Sequence, residues 1–396
     1  MELIWKSDAL AVGVVLIGLC VGSFLNVVIH RVPRGLSVND PKRSFCPSCG
    51  TTLPVWQNIP ILTWVLQRGR CRSCGAPIAV RYLFVEFLTA VLFFFAWWSL
   101  PIASALLAIV FFTILVTVTF IDAEHQLIPI WWTSVGSLVG LLGGLLFSPL
   151  LLDLSGETLP AARTGGWAGL RASGVGWLVG FGGLTMVVFL GKLAFGRLRL
   201  EFDKAEDWKL QEGHQDDPQL HFIIGKRAFS WDELFYRDSD RLHIVGQGFL
   251  IDGKRQSGKE LEIRRNEVRV GEKSWGIEGL TSLEGSAIKV EVPREAMGMG
   301  DPHLLGMIGA FLGWPAVVFV VFSSCLFAIL AALVARIGFG RPLPYGPFLA
   351  LGALSWMAGG WKLWNWYYEA IQGGFQGPEN LDYGLNAYFQ NSLLLI

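Results

Sequence analysis

The stretch from Ile102 to Asp122 reads IASALLAIVFFTILVTVTFID, a run of uncharged residues that ends on an aspartate. A bilayer core about 30 Å thick is crossed by roughly 20 apolar residues in a helix. The stretch therefore predicts a transmembrane helix with an ionisable side chain where the helix leaves the hydrocarbon. Because a charge near the hydrocarbon is costly, that aspartate needs a structural or chemical reason to be there.

The composition of the whole chain also indicates a membrane protein. Of its 396 residues, 52% are hydrophobic and 16% are charged, and the mean hydropathy is +0.47. An ordinary soluble domain is roughly 25% charged. The basic and acidic residues cancel to a net charge of zero. We therefore expect membrane lipid as a partner, and we expect no nucleic acid.

Eight apolar segments are candidate membrane spans. The first could be mistaken for a signal peptide, but it ends in His30-Arg31 without a small-residue cleavage site and is interpreted as a retained anchor. The sixth is short, and Gly313-Trp314-Pro315 separates it from the seventh, so the two form either a tight hairpin or one broken helix. The predicted spans are 10–30, 82–100, 102–121, 128–150, 174–196, 303–313, 315–335 and 345–361.

Basic residues in the loops predict the orientation of these spans. Segment 31–81 carries many Lys and Arg residues against Asp40 as its one acidic residue. Because positively charged loops stay in the cytoplasm, this segment is expected inside. Alternation then places 122–127, 197–302 and 336–344 inside, and 151–173 outside.

Four of the six cysteines form two C-x-x-C pairs, Cys46 with Cys49 and Cys71 with Cys74, and a glycine follows each pair. Two such knuckles are typical of a four-thiolate zinc site. Disulfides are the alternative, but the reducing cytoplasm disfavours them. Four thiolates leave no open position for water. The zinc is therefore predicted to be structural, holding together a loop too small for a core of its own.

The segment 198–294 holds most of the charge of the chain, and it reads as a β-rich domain. Short, partly alternating stretches such as 241–246, 248–251, 261–263, 267–270 and 287–292 are separated by turn residues. The predicted fold is a polytopic α-helical membrane protein of about eight spans, with a small cytoplasmic zinc-binding domain and an inserted β-rich cytoplasmic domain. The predicted divisions are 1–31, 32–81, 82–197, 198–294, 295–361 and an aromatic interfacial tail, 362–396.

A second aspartate is predicted at the same membrane face as Asp122. Gly298-Met299-Gly300-Asp301 opens the sixth span. Either aspartate alone could be structural, Asp122 as a snorkelling charge or cap and Asp301 as a helix N-cap. Two carboxylates that share a site can hold one proton between them, so that one activates water and the other polarises a carbonyl. Gly298 and Gly300, which lack Cβ, would let a substrate backbone approach Asp301.

Four motifs carry a resemblance to a known family. They are GSFLNVVIHRVP at 22–33, FID with LIP at 120–122 and 127–129, REAMGMGD at 294–301, and RPLPYGPFLA at 341–350. They resemble the motifs of the type IV prepilin peptidases over roughly 10–150, 174–197 and 294–360, and the aspartate motifs imply that Asp122 and Asp301 are the catalytic residues. Two departures, Ile130 and His303, stand where the family often has an acidic residue and a lysine.

The resemblance implies an intramembrane aspartyl endopeptidase of the bacterial inner membrane. It would remove the leader of type IV prepilins or pseudopilins at the cytoplasmic face. Cysteine-bearing members also methylate the new amino terminus with S-adenosylmethionine. No glycine-rich nucleotide loop is present, so the cofactor-binding residues are unknown, and the polar residues Asn26, Arg70 and Glu86 are interpreted as structural.

Three other functions stay open from the sequence. One is a peptidase without methyltransferase activity. Another is a transporter or channel that uses paired carboxylates, although transport sites usually lie near mid-membrane between repeated halves. The third is an inactive scaffold of a secretion assembly, with the insertion 198–294 as its docking module.

Overall fold

The computed structural model describes residues 7–41, 43–146, 166–195, 197–212, 220–225, 227–235, 240–293, 298–336 and 343–373. The chain divides into two compact units. One comprises Met1–Thr185 with Met299–Ile396, and the other comprises Met186–Gly298. Much of the predicted outside loop 151–173, residues 294–297, Arg341-Pro342 and the tail beyond 373 lie outside the described residues.

The described helices follow the apolar runs of the sequence. Their bounds are α1 Asp8–Arg31, α2 Leu62–Leu66, α3 Val80–Ser99, α4 Ile102–His125, α5 Ile130–Leu146, α6 Trp167–Phe195, α7 Trp231–Leu234, α8 Gly300–Val334, α9 Gly346–Ser355 and α10 Trp361–Gly373. A π-helical turn, Trp356–Gly360, joins α9 to α10, so the predicted span 345–361 is made of consecutive short pieces.

Among the described residues, five helices are long and apolar enough to cross a membrane. They are Asp8–Arg34, Val80–Ser99, Ile102–His125, Trp167–Leu193 and Gly300–Val334, and the apolar helix α5 is shorter. The last of the five is counted over its full length, although its backbone is not helical at Gly313. Many large apolar side chains on these helices are exposed, among them Ile17, Leu138 and Phe322. Lipid, rather than water, suits such a surface. The prediction of a multi-pass helical membrane protein is confirmed in this coarse form.

Small residues bring α1 and α3 into close contact. A Cβ on Gly18 would lie 2.7 Å from Cα of Ala90, and a Cβ on Gly22 would lie 2.7 Å from Cα of Glu86. The two glycines are four residues apart and therefore share one face of α1. Small residues at this spacing allow helix backbones to approach closely in membranes. The contact fixes where Glu86 lies relative to α1.

The long element α8 reverses direction at Gly313. This residue has φ 79° and ψ 171°, a conformation outside the helical region that glycine adopts readily. A Cβ on Gly309 would lie 2.8 Å from Cγ2 of Val317, although eight residues of straight helix would separate the two by about 12 Å. Of the two alternatives left open by the sequence, the structure therefore has the tight hairpin.

The second unit is built on one antiparallel sheet. The strand order is β3-β2-β1-β9-β4-β6-β7-β8, with β5 paired to β4. The strands are β1 Arg197–Glu212, β2 Leu220–Ile224, β3 Arg227–Ser230, β4 Leu242–Ile251, β5 Lys254–Arg255, β6 Glu260–Ile263, β7 Glu267–Val270, β8 Lys273–Gly276 and β9 Leu283–Pro293.

The core of the sheet unit contains large apolar side chains, including Trp208, Phe222 and Phe249. The β-rich character predicted for this segment agrees with the sheet. The predicted stretches 241–246 and 248–251 are parts of one strand, β4, whose pairing with β9 shifts register between them. Strands β1 to β3 were not among the predicted stretches, because their alternation is weaker and charged residues occupy much of β1.

Candidate active site and metal centre

Asp122 lies in the last turn of α4 and is 5% exposed. The helix ends at His125, and Gln126 follows in the left-handed conformation. The backbone N–H of Gly346 donates a hydrogen bond of 2.8 Å to Oδ2 of Asp122. A Cβ on Gly346 would lie 2.7 Å from that oxygen, so only glycine fits without a shift. The first turn of α9 thus holds one oxygen of the carboxylate.

Asp301 is the second residue of α8 and is 8% exposed. Its carboxylate interacts electrostatically with that of Asp122. Oδ1 of Asp301 is buried and has no hydrogen-bond partner. Buried polar atoms are rarely left without a partner, so this oxygen is available to a ligand or to water. The fold thus brings together the two aspartates that the sequence analysis selected, although 179 positions separate them along the chain.

The glycines before Asp301 have different surroundings. A Cβ on Gly300 would lie 2.5 Å from Cβ of Ile128, so this glycine allows the two aspartate motifs to pack together. Gly298 has no atom within 4 Å of the position of its absent Cβ. Packing therefore accounts for Gly300. The access of a substrate backbone past Gly298 and Gly300 stays a prediction.

Tyr345 is a third polar group near the pair, and the sequence analysis gave it no role. Its hydroxyl lies 2.6 Å from Oγ of Ser324, in the second arm of the α8 hairpin, and it interacts electrostatically with Asp301. Tyr345 directly precedes Gly346 in the RPLPYGPFLA motif, and its place in that motif was the sequence feature that could have pointed to it.

His303 is turned toward α6, where its ring centroid lies 4.9 Å from that of Phe181.

The four paired cysteines form one cluster. Their sulfur atoms all lie within 4.8 Å of one another, with Cys46 and Cys71 buried and Cys49 and Cys74 exposed. The two knuckles have the same geometry, since the N–H of Gly50 bonds the carbonyl of Cys46 and that of Gly75 bonds Cys71, each at 2.8 Å. Four sulfur ligands at this separation can bind a metal ion.

Hydrogen bonding within the first knuckle favours a thiolate. Cys49 Sγ lies 3.3 Å from Oγ1 of Thr51, and hydrogen bonds with the side chain and backbone of Thr51 lower the pKa of Cys49 to about 6. The thiolate is the form of cysteine that binds metals. The chemistry of the cluster therefore suits a soft or borderline cation such as Zn²⁺.

Arg31 ties the end of α1 to the loop that leads to the cysteines. Arg31 is 4% exposed, and Nη1 of its guanidinium donates to the carbonyls of Ser37, Val38 and Pro41 at 3.2, 2.9 and 2.9 Å. The sequence gave Arg31 only the role of a positive charge at a membrane boundary. The structure adds that it satisfies backbone carbonyls of the loop 37–41.

The chain matches two protein families. Residues 16–100 match the Bacterial Peptidase A24 N-terminal domain, and residues 286–333 match the Type IV leader peptidase family. No solved structure matches the chain significantly.

Relatives of the chain carry the name prepilin leader peptidase/N-methyltransferase, and three of them illustrate the match. The Myxococcus xanthus protein is 41% identical over 191 residues, 46% of this chain and 55% of the relative. The Dichelobacter nodosus protein is 34% identical over 209 residues, 46% of this chain and 67% of the relative. The Aeromonas hydrophila protein is 27% identical over 382 residues, 89% of this chain and 92% of the relative. The chain thus spans about half the length of the first of these and nearly all of the last.

Proposed function

This chain belongs to the type IV leader peptidase family, and we propose that it is an aspartyl endopeptidase that removes the leader peptide of type IV prepilins or pseudopilins. The resemblance seen in the sequence motifs is confirmed by the family matches. The observation that carries the proposal is the convergence of Asp122 and Asp301, two buried carboxylates from different helices. Asp122 lies in the last turn of α4 and Asp301 in the first turn of α8, and both helices are apolar. This position at helix ends favours a site at a membrane face.

The proposed reaction uses the two carboxylates with a single shared proton. The ionised carboxylate takes a proton from water as the oxygen attacks the scissile carbonyl, and the protonated one donates a hydrogen bond to the carbonyl oxygen. As the C–N bond breaks, the leaving amine takes up a proton from the pair. Because the two groups titrate as a unit, neither Asp122 nor Asp301 is assigned the acid or base role alone.

The proposed location is the bacterial inner membrane, with both aspartates toward the cytoplasm. The support is the excess of basic residues in 31–81, the loop that precedes α3. A prepilin substrate has a basic leader that would lie on the same side. Lipid is the expected environment for the exposed apolar faces of the helices.

The cysteine cluster is proposed to hold a structural Zn²⁺. The four sulfur atoms fit a closed tetrahedral site, which leaves no position for a catalytic water. In this view the metal stabilises the loop between α1 and α3. It takes no part in peptide hydrolysis.

A second proposed activity is methylation of the newly formed amino terminus. The names of the relatives include an N-methyltransferase. The methyl donor would be S-adenosylmethionine, which supplies an electrophilic methyl group. Oδ1 of Asn26 is a buried acceptor without a partner. Asn26 and Glu86 line the same cavity, and this pair of acceptors fits a ligand with a positive charge. The alternative is a peptidase without this second activity.

Cleavage of a prepilin by the purified protein tests the main proposal. We expect Asp122→Asn and Asp301→Asn each to lower the cleavage rate by at least about 1,000-fold, as loss of a catalytic group does. Asp8→Asn, a carboxylate change in the first turn of α1, is the control and should cleave normally. Cleavage at the normal rate by either site variant would refute the pair mechanism. Mass analysis of the product terminus reports methylation separately.

A further inference from the structure

A cavity of about 380 Å³ lies where the end of α1 meets the cysteine loop and the start of α3. Its volume is within the range of roughly 300–1,000 Å³ found for small-molecule sites. Asn26 and His30 contribute from α1, Cys46 and Cys71 from the knuckles, and Glu86 from α3. The cavity is separate from the aspartate pair, because neither Asp122 nor Asp301 lines it.

Two buried oxygen acceptors lie in the wall of this cavity. Asn26 is 2% exposed; its Nδ2 donates to the carbonyl of Tyr82 at 3.0 Å, whereas its Oδ1 has no partner. Glu86 is 8% exposed. One of its oxygens accepts the N–H of Ile61 at 2.7 Å, and its carboxylate also accepts a hydrogen bond from the side chain of Ser23. Burial of an acceptor without a partner, and of a carboxylate whose named donors are neutral, costs free energy unless a ligand supplies a donor or positive charge.

The arginine that lines the cavity already donates its hydrogen bonds elsewhere. Arg31 also lines the cavity, but its guanidinium donates to the loop carbonyls of Ser37, Val38 and Pro41. Ile61, whose N–H bonds Glu86, has φ 59°, a costly conformation for a β-branched residue. Backbone strain of this kind persists where the surroundings hold it, and it is concentrated at ligand sites. The loop is thus held so that Glu86 stays in the cavity.

Aromatic side chains form much of the remaining wall. Phe45, Trp64 and Tyr82 all line the cavity. The Trp64 ring is fixed, since its Nε1 donates to the carbonyl of Ile78 at 3.3 Å and a Cβ on Gly69 would lie 2.8 Å from the ring. Aromatic rings stack on nucleobases without regard to sequence. A ligand that joins a flat heterocycle to a cationic group therefore matches this wall: the heterocycle can stack on the aromatic rings, and the cation can face Asn26 and Glu86.

The cavity is also connected to the helix that carries Asp122. Arg81, directly before the cavity residue Tyr82, forms an ion pair with Glu124, two residues after Asp122. The new amino terminus of a cleaved substrate would be released beside the end of α4. The ion pair joins that end of α4 to the start of α3, which forms part of the cavity wall.

We propose that this cavity binds S-adenosylmethionine, with Asn26 and Glu86 as the acceptors that face its cationic end and Trp64 and Tyr82 as the stacking surface for its base. The assignment rests on the proposed function, since it deepens the methyltransferase activity. It replaces the structural interpretation that the sequence gave to Asn26 and Glu86.

Binding to the purified, zinc-loaded full-length protein tests the assignment. Two probes differ only near the reacting centre: S-adenosylhomocysteine has a neutral thioether, whereas sinefungin has an amine that is cationic at neutral pH. In isothermal titration calorimetry we expect both to bind. Glu86→Gln should weaken sinefungin binding at least about 10-fold and S-adenosylhomocysteine binding less than about 3-fold, because only one probe carries the charge. Trp64→Ala should weaken both.

Two control variants separate this inference from the peptidase proposal. Asp8→Asn removes a carboxylate outside the cavity, in the first turn of α1, and Asp301→Asn removes one from the aspartate pair. Both variants should bind both probes normally. Failure of either probe to bind the zinc-loaded wild type overturns the assignment, as does an equal loss of both probes in Glu86→Gln. A protein that binds the probes but cleaves no prepilin would refute the peptidase proposal alone, and one that cleaves without binding them would refute the cavity assignment alone.

Discussion

The backbone N–H of Gly346 donates a hydrogen bond of 2.8 Å to Oδ2 of Asp122, although the two residues are 224 positions apart in the chain. The bond joins the first turn of α9 to the last turn of α4. It holds one carboxylate oxygen where the positive end of the α9 dipole favours negative charge. The geometry of the aspartate pair therefore depends on a segment that carries no acidic residue of its own.

Gly346→Ala should impair cleavage while leaving the fold intact. A Cβ at this position would lie 2.7 Å from Asp122 Oδ2, so the carboxylate or α9 must shift. Displacement of a catalytic group by about 1 Å can lower the reaction rate by roughly 100-fold. We therefore expect kcat to fall by about 10- to 100-fold in a peptide-cleavage assay. Gly174→Ala is the matched control, since no atom lies within 4 Å of its Cβ position. An unchanged kcat in Gly346→Ala would show that the contact does not position Asp122.

Substitution of a cluster cysteine should release the metal. Cys46→Ser replaces one of four sulfur atoms that lie within 4.8 Å of one another, and we expect the zinc content, measured by plasma mass spectrometry, to fall from one ion per chain to near zero. Faster amide hydrogen exchange across 44–78 should accompany the loss, because the metal holds the loop. Cys20→Ser, an exposed cysteine outside the cluster, should retain its zinc. A full metal complement in Cys46→Ser would contradict the four-thiolate site.

Arg31→Lys should loosen the loop 37–41 although the positive charge is kept. One ammonium group cannot reproduce the guanidinium geometry that reaches the carbonyls of Ser37, Val38 and Pro41. Each hydrogen bond to a charged group contributes about 1.5–3 kcal/mol, so we expect faster proteolysis of this loop by at least about 10-fold. Arg34→Lys, whose side chain is exposed, is the comparison. If the two variants resist proteolysis equally, Arg31 acts only as a positive charge at the membrane boundary and does not hold the loop.

Acid should loosen the turn between β4 and β5 before the rest of the sheet. Oδ1 of Asp252 accepts hydrogen bonds from Thr281 N, Thr281 Oγ1 and Ser282 N at 2.7, 2.8 and 3.2 Å. The side-chain and backbone bonds from Thr281, with that from Ser282, lower the pKa of Asp252. A lowered folded-state pKa means that the stabilisation is complete above the unfolded-state pKa of about 4 and is lost as the pH falls through the folded value.

Hydrogen exchange across 248–284 measures this effect. We expect the protection factors of Thr281 and Ser282 to drop between pH 6 and pH 3 in the wild type. In Asp252→Asn the protection factors of Thr281 and Ser282 should be lower at pH 6 and should change less with pH. The Asn side-chain oxygen still accepts hydrogen bonds, but it carries no charge and does not titrate. Glu272→Gln, a change in the turn between β7 and β8, should follow the wild type. If the protection factors of Asp252→Asn and the wild type depend on pH in the same way, Asp252 is not the group whose protonation loosens the turn.

The class of the protein and the candidate residues of its two clusters could be predicted from local features of the chain. Apolar runs such as Ile102–Ile121 reach the length of roughly 20 residues that a bilayer requires, and hydropathy is a local property of the chain. The cysteine pairs are equally local, since two residues between cysteines suffice to build each knuckle. The aspartates were identified from the motifs around them and from the distribution of basic residues.

How these parts meet depends on contacts that form only in the folded protein. The reversal at Gly313, the hydrogen bond from Gly346 to Asp122 and the cavity beside Asn26 and Glu86 all depend on contacts between segments distant in sequence. Local periodicity cannot encode such contacts, because they form when whole helices pack, and small residues such as Gly18 and Gly22 set how closely they do so. The sequence therefore named the aspartates, and the packing of the helices determined which backbone group holds one of them in place.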